Sequence, residues 1–147
     1  MITIKQISDI NECQEIVSLF NNYRIFYNQS SDPEGAATFL SERLGKNESV
    51  LLIAYLSGKA AGFTQLFHSF SSVSMKPLMI LNDLYTNPEM RGYRIGSALL
   101  QAAENIAKSL HCKGLILETA VNNPARKLYA KSGWSQDPGF VHYGKYF

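Results

Sequence analysis

Between Leu78 and Leu110 the chain passes from strand to turn to glycine loop to helix without a break, and few folds accommodate that order in so short a span. Leu78 to Thr86 is a β-favouring run, Pro88 marks a turn, and Arg91-Gly92-Tyr93-Arg94-Ile95-Gly96 opens directly into a helix. Ile95, Ala98, Leu99, Ala102, Ala103, Ile106 and Leu110 recur at helical spacing and give that helix one apolar face. A loop feeding a helix N-terminus gathers backbone N–H groups that have no intrahelical partner, at the positive end of the helix dipole. Such a place suits a phosphate or pyrophosphate. The same residues, Gly92 and Gly96, equally serve a tight strand-to-helix turn that binds nothing.

Two phosphate signatures are absent. There is no Gly-x-x-x-x-Gly-Lys-Ser/Thr, which argues against a P-loop nucleotidase, and no Gly-x-Gly-x-x-Gly after the first strand, which argues against a dinucleotide fold. The 147 residues are one domain's worth (1–147), with 46% hydrophobic and 18% charged side chains, the balance of a globular chain with a real core. No apolar run approaches a membrane span, and the first residues lack a basic region followed by an apolar stretch, so a cytoplasmic location is expected. A net charge of +2, spread along the chain, gives no concentrated basic face for nucleic acid. Cys13 and Cys112 have neither zinc-site nor redox spacing, and Cys13 falls on the apolar stripe of the first helix.

The remaining elements follow from patterning. Ile2 to Ile7 reads as a strand, and Ser8 or Asp9 caps a helix from Ile10 to Tyr27. Asp32-Pro33 starts a second helix that ends near Leu44, with Gly45 beyond its end. Val50 to Leu56 and Ala60 to Phe70 form a hairpin about Ser57-Gly58-Lys59, and SSVSMKP is a loop. A short strand from Gly114 to Thr119, a helix from Pro124 to before Gly133, and a last strand from Phe140 to Tyr146 complete the order βααβββαβαβ, a mixed α/β sheet flanked by helices.

The loop matches Arg/Gln-x-x-Gly-x-Gly/Ala except at Arg94, which stands where the first glycine belongs. Downstream, Asn122-Asn123-Pro124-Ala125-Arg126-Lys127-Leu128-Tyr129-Ala130-Lys131-Ser132-Gly133-Trp134 fits Asn-x-x-Ala-x-x-Leu-Tyr-x-x-x-Gly-Phe. Both blocks, in this order, resemble those of the GNAT superfamily of N-acetyltransferases. The resemblance implies a sheet splayed between the fourth and fifth strands, with acetyl-CoA as the acetyl-donating cosubstrate and no metal. It implies pyrophosphate binding by Arg91, Gly92, Tyr93, Arg94, Ile95, Gly96 and Ser97, and pantetheine contacts from Leu84, Tyr85, Thr86 and Asn122. An arginine at position 94 keeps its N–H in place only if its φ stays negative, with Gly92 supplying lost freedom; its guanidinium then reaches for a phosphate.

By the same resemblance Tyr129 protonates the leaving thiolate, a modestly uphill transfer between a phenol near pKa ~10 and a thiol near ~8.5. Packing alone would also explain an aromatic there, and Asn122 would equally cap the helix at Pro124. Asp83, beside Asn82, is the first candidate for base or ammonium anchor. His68 and His142 have no partner in the pattern. The acceptor side draws on Tyr23, Phe26, Tyr27 and Asp32, with Phe70, Phe140, His142 and Tyr143 as further aromatic and polar candidates. Tyr23, Tyr27 and Asp83 are assigned to substrate, an aromatic wall suiting an ammonium. The expected acceptor is a small amine, polyamine or amino-acid-like compound. A protein lysine or N-terminus, and a non-catalytic acyl-CoA-binding module, are the alternatives. A homodimer through C-terminal strands is a further expectation.

Overall fold

The computed structural model describes all 147 residues. One five-stranded sheet runs in the order β1 (Ile2–Ile7), β2 (Ser49–Leu56), β3 (Lys59–Ser71), β4 (Lys76–Thr86) and β5 (Leu115–Ile116). The first four strands are antiparallel to their neighbours, and β5 lies parallel to β4. Helices α1 (Glu15–Phe26) and α2 (Pro33–Gly45) cover one face, α3 (Ile95–Ser109) covers the other, and α4 (Ala125–Lys131) follows β5. This is the α/β architecture expected, a mixed open sheet that parts between its fourth and fifth strands.

Burial on both faces explains why β2 reads as an unbroken apolar run. Leu51 and Ile53 pack with Ile16, Phe20, Leu40 and Phe63 under α1 and α2, while Leu52 and Ala54 pack with Leu66, Leu99 and Ala103 under α3. Alternating side chains of the same strands thus serve two cores. Cys13 belongs to the first of these, buried, with its sulfur 3.2 Å from the Tyr55 hydroxyl.

One residue of β4 breaks the alternation. Gln65 of β3 pairs with Asp83 and Leu66 pairs with Leu81, so Asn82 is an extra residue on the β4 side. Such a bulge resets which face each later side chain occupies. Met79 and Leu81 face α3, whereas Tyr85, two positions after Asp83, joins the core beneath α1 and α2. Just before the bulge β4 also loses its outer neighbour. It pairs with β5 only at Met79↔Leu115 and Ile80↔Ile116, then continues to Thr86 with β3 alone beside it. The result is a V-shaped opening in the sheet.

Several expected boundaries move. Asp9 caps a single 3-10 turn, accepting from Asn11 N–H at 2.9 Å, and Cys13 then adopts extended backbone, so α1 begins at Glu15 and ends at Phe26. Asp32 caps α2 as expected, accepting from Gly35 N–H at 2.9 Å, but Gly45 is helical and Asn47 (φ 58°) takes the left-handed position after the helix. The SSVSMKP segment is shortened as a loop from both ends: Phe70↔Pro77 and Ser71↔Lys76 pair, leaving residues 72–75 as the turn. The strand expected over Gly114–Thr119 shortens to Leu115–Ile116, and the last strand, Phe140–Tyr146, does not form. Alternation there makes those residues competent for a strand, but nothing in the sheet pairs with them; the side chains of Phe140, Val141 and Tyr143 stand exposed. No helix is long and apolar enough to cross a membrane.

Candidate active site

The opening between β4 and β5 becomes a cleft of about 470 Å³, bounded by β4, the loop before α3, the chain after β5 and α4. Three features of its lining carry its chemistry.

The first is the loop. The N–H groups of residues 92 to 97 donate to no acceptor within the chain; intrahelical bonding resumes with Ala98 N–H to Arg94 C=O at 3.1 Å. Gly92 has φ 87° and Arg94 φ 64°, and successive N–H groups in such alternating conformations form an anion-binding concavity at the mouth of α3. The expectation that φ of Arg94 stays negative is therefore overturned: the arginine takes the left-handed conformation a glycine would take there. The donors stay in place at the cost of backbone strain rather than through a changed backbone path. Arg91, Gly92, Arg94, Ile95, Gly96 and Ser97 all line the cleft; Tyr93 is exposed outside it. Gly96 has a separate task. A methyl group on it would lie 2.7 Å from Leu128 Cδ2, so its hydrogen allows α3 to approach α4.

The second is β4 itself. Asn87 N–H donates to Ala61 C=O on β3 at 2.8 Å. Backbone groups of an antiparallel strand alternate between neighbours, so those of Tyr85 point toward β3 while those of Thr86 and Leu84 point into the opening. Leu84 and Thr86 thereby present hydrogen-bonding backbone to a ligand in the cleft, whereas Tyr85 offers its side chain. Burial raises the Tyr85 hydroxyl above its ordinary range, an effect that the nearby Arg91 guanidinium partly offsets.

The third is α4. Tyr129 lines the cleft, half-buried and packed at 6.0 Å, centroid to centroid, against Trp134, whose N–H donates to Tyr129 C=O at 3.0 Å. Burial raises its hydroxyl, with Tyr27 adding to the effect, so Tyr129 remains a protonated donor at neutral pH. Asn122 is exposed and does not line the cleft. Its neighbour Asn123 lines the cleft, and its Oδ1 accepts from Ala125 N–H at 2.9 Å where α4 begins, whereas Pro124 holds the N-cap position.

On the other side of β4 lies a second cleft, of about 410 Å³, between the sheet and the α1–α2 layer. Its floor holds Asp83, turned to this face by the Asn82 bulge and only 2% exposed. Gln65 Nε2 donates to Asp83 Oδ2 at 2.6 Å, and Asn82 Nδ2 donates to Oδ1 at 2.7 Å. Burial drives the carboxyl above its ordinary range, and these donors, with the Tyr23 hydroxyl, pull partly back. A buried carboxyl raised in this way, with donors on both oxygens, is a candidate for proton exchange with a substrate. The Tyr23 hydroxyl, held well above its usual range by burial and by Asp83, stays protonated and lies 3.5 Å from Asn82 C=O.

Tyr23 and Asn82 line both clefts, and so mark where the two meet. Tyr27, stacked edge-on against Tyr23 at 5.0 Å, lines only the first, with Phe26. Asp32 lines the second. Phe70, Phe140, Tyr143, His68 and His142 line neither. Gln65 and Asn123 were missed in the sequence; a glutamine inside the apolar run Ala61-Gly62-Phe63-Thr64-Gln65-Leu66-Phe67 is the signal that could have found the former. No three His, Cys, Asp or Glu side chains group so as to hold a metal ion.

The sequence pattern of the acetyltransferase (GNAT) family matches residues 14–134. The chain is 48% identical over 134 residues to an uncharacterized N-acetyltransferase, YhfO, of Bacillus subtilis (strain 168), covering 90% of each chain. It is 32% identical over 108 residues to a probable acetyltransferase of Haemophilus influenzae, covering 73% of this chain and 74% of that one. The crystal structure of a probable acetyltransferase superposes with a TM-score of 0.92 at 35% identity, covering 99% and 97% of the two chains. With the family's pattern spanning most of the sequence, and its anion-binding loop and parted sheet present in the fold, this protein belongs to the GNAT acetyltransferase family and is an acetyl-CoA-dependent N-acetyltransferase.

Proposed function

We propose that the protein transfers the acetyl group of acetyl-CoA to the primary amine of a small molecule by direct attack, both substrates being bound at once. The observation that carries this reading is the meeting of two clefts across β4. One is lined by unpaired N–H groups and suits a pyrophosphate; the other is floored by a buried carboxylate and suits an amine. The residues fit acetyl-CoA: the loop at 92–97 would hold the pyrophosphate, and the outward backbone of Leu84 and Thr86 would hold the pantetheine arm. Acetyl-CoA supplies an acetyl thioester that an amine can attack.

Each residue then has a defined task. Asp83 accepts a proton from the incoming ammonium, which frees the nitrogen lone pair at the junction by Tyr23 and Asn82. The backbone N–H of Leu84 or Thr86 donates to oxygen where negative charge grows, an arrangement that typically supplies roughly 3 kcal/mol. Tyr129 gives its proton to the departing sulfur. Because burial raises Tyr129 as well, this donation is more uphill than between free groups and is best coupled to bond cleavage.

Support for a small acceptor comes from the size of the second cleft and its aromatic walls, Phe20, Phe39 and Phe67. The fold alone leaves the acceptor open. At 18% identity it is shared, with a TM-score of 0.83, by an aminoglycoside acetyltransferase from a soil metagenomic sample, and at 20% identity, with 0.84, by a ribosomal-protein-alanine N-acetyltransferase of Brucella melitensis. We further infer that the enzyme is a single domain acting in the cytoplasm, and that it forms a homodimer, which sedimentation velocity tests. The test of the activity is thiol release from acetyl-CoA by the purified protein across primary amines and lysine peptides. Turnover of small amines supports the reading, and turnover of peptides alone overturns it.

A further inference from the structure

The floor of the second cleft carries a polar atom that the chain leaves unsatisfied. Gln65 is fully buried, its Nε2 is committed to Asp83, and its Oε1 has no hydrogen-bond partner. Turning the amide over is no remedy, since it would set Oε1 against the Asp83 carboxylate and leave Nε2 unpaired instead. Buried acceptors without partners are rare and costly, and Gln65 belongs to the lining of a cleft from which a ligand can bring a donor. Beside it is the carboxylate of Asp83, another acceptor. A primary ammonium, with three N–H groups, can satisfy both at once.

The rim adds the opposite charge. Arg24, half-buried on α1, lines the cleft and makes no ion pair; its Nη1 donates to Ser30 C=O at 3.2 Å. Most of its five donors remain free. One oxygen of Asp32, the other charged group of the rim, accepts from Gly35 N–H at the positive end of α2. A second ammonium, as in a polyamine, would meet the unpaired guanidinium of Arg24 in the same cleft. A carboxylate would be met by a fork built for it. Phe20, Phe39 and Phe67 line the same cleft.

We infer that the acceptor is an amino-carboxylate with an apolar body, its ammonium on Asp83 and Gln65 Oε1, its carboxylate on Arg24, and its side chain among the phenylalanines. This rests on the reading that the acceptor amine enters by this cleft, and it goes further by excluding polyamines and simple amines as preferred substrates.

The experiment compares matched pairs that differ only in the carboxylate: phenylalanine with phenethylamine, leucine with isopentylamine, lysine with cadaverine. Thiol release from acetyl-CoA is followed for the wild type, Arg24→Gln and Arg24→Lys. The expected result is a kcat/KM at least tenfold higher for the acid of the best pair. Arg24→Gln should erase that preference by raising KM for the acid, leaving its kcat and both constants of the amine in place. Arg24→Lys should restore part of it, which a loss of folding would not do. Equal or better turnover of the amines overturns the inference and leaves acetyl transfer standing, as does an Arg24→Gln effect shared by acid and amine. Acetyl-CoA binding without turnover of any pair overturns the inference as well. Failure to bind acetyl-CoA, measured by calorimetry, overturns the proposed function with it.

Discussion

Arg94 offers a way to separate backbone strain from ligand contact in the anion-binding loop. Its φ of 64° is left-handed, and an L-residue with a Cβ pays roughly 1–2 kcal/mol to stand there. Arg94→Gly removes that cost, while the extra freedom of glycine in the unfolded chain returns about 0.5–1 kcal/mol of it. The net stabilisation is about 0.5–1 kcal/mol. For 147 residues the entropy of unfolding is about 0.3 kcal/mol/K, so Tm should rise by about 2–3 °C. Arg94→Ala keeps the strain and loses only the guanidinium, so its Tm should match the wild type. Both variants leave the loop's N–H groups where they are and remove the same charged side chain from the cleft lining. Each should therefore weaken acetyl-CoA binding by about tenfold, or about 1.4 kcal/mol, at the low end for a hydrogen bond to a charged group because Arg94 is exposed. Scanning calorimetry and isothermal titration read the two quantities independently. Equal stabilisation by glycine and alanine would refute the strain argument, and affinity lost in only one variant would refute the account of the guanidinium.

Three further predictions concern proton transfer. Tyr129→Phe should lower kcat by about 10²-fold or more with the Kd for acetyl-CoA unchanged, as measured by steady-state kinetics and titration; unchanged kcat sinks the acid assignment. Asp83→Asn should lower kcat/KM by about 10²-fold or more and flatten the pH dependence of Tm. Because burial raises the folded-state pKa of Asp83, folding takes up a proton. The wild type thus gains stability as pH falls through the raised value toward the ordinary carboxylate range, and loses it again on the way up. Parallel Tm–pH curves for the two proteins would contradict this. Gln65→Leu removes a donor that holds the Asp83 pKa down, so the acidic limb of the kcat/KM profile should move to higher pH; a stationary limb would detach Asp83 from the base role.

Much of the architecture is legible from patterning because burial enforces it. The unbroken run of β2 and the apolar stripe of α3 announce a two-faced sheet with a helix against it, and the loop before α3 stands out by position and glycine content. What escapes is decided by geometry that side-chain chemistry does not declare. A single extra residue at Asn82 chooses the face on which Asp83 lies. Asn122 and Asn123 are equal as letters, and only the turn ending at Ala120 C=O selects the second as cleft wall and acceptor for Ala125 N–H. Arg94 adopts a glycine's left-handed conformation, which an arginine in the sequence does not announce. The alternation in Phe140–Tyr146 describes a strand that lacks a neighbour, and a neighbour is a property of the whole sheet.

The bulge in β4 has an evolutionary corollary. In the proposed function the strand shows one substrate its outward backbone and the other its bulge-turned side chains, with Tyr23 and Asn82 as the shared border, so the two recognition problems would draw on almost disjoint sets of positions. In that reading, substitutions at Phe20, Arg24, Phe39 or Phe67 would retune which amine is accepted while the loop before α3 and α4 stay as they are. A lineage carrying this strand can therefore change its customers one side chain at a time without relearning its chemistry.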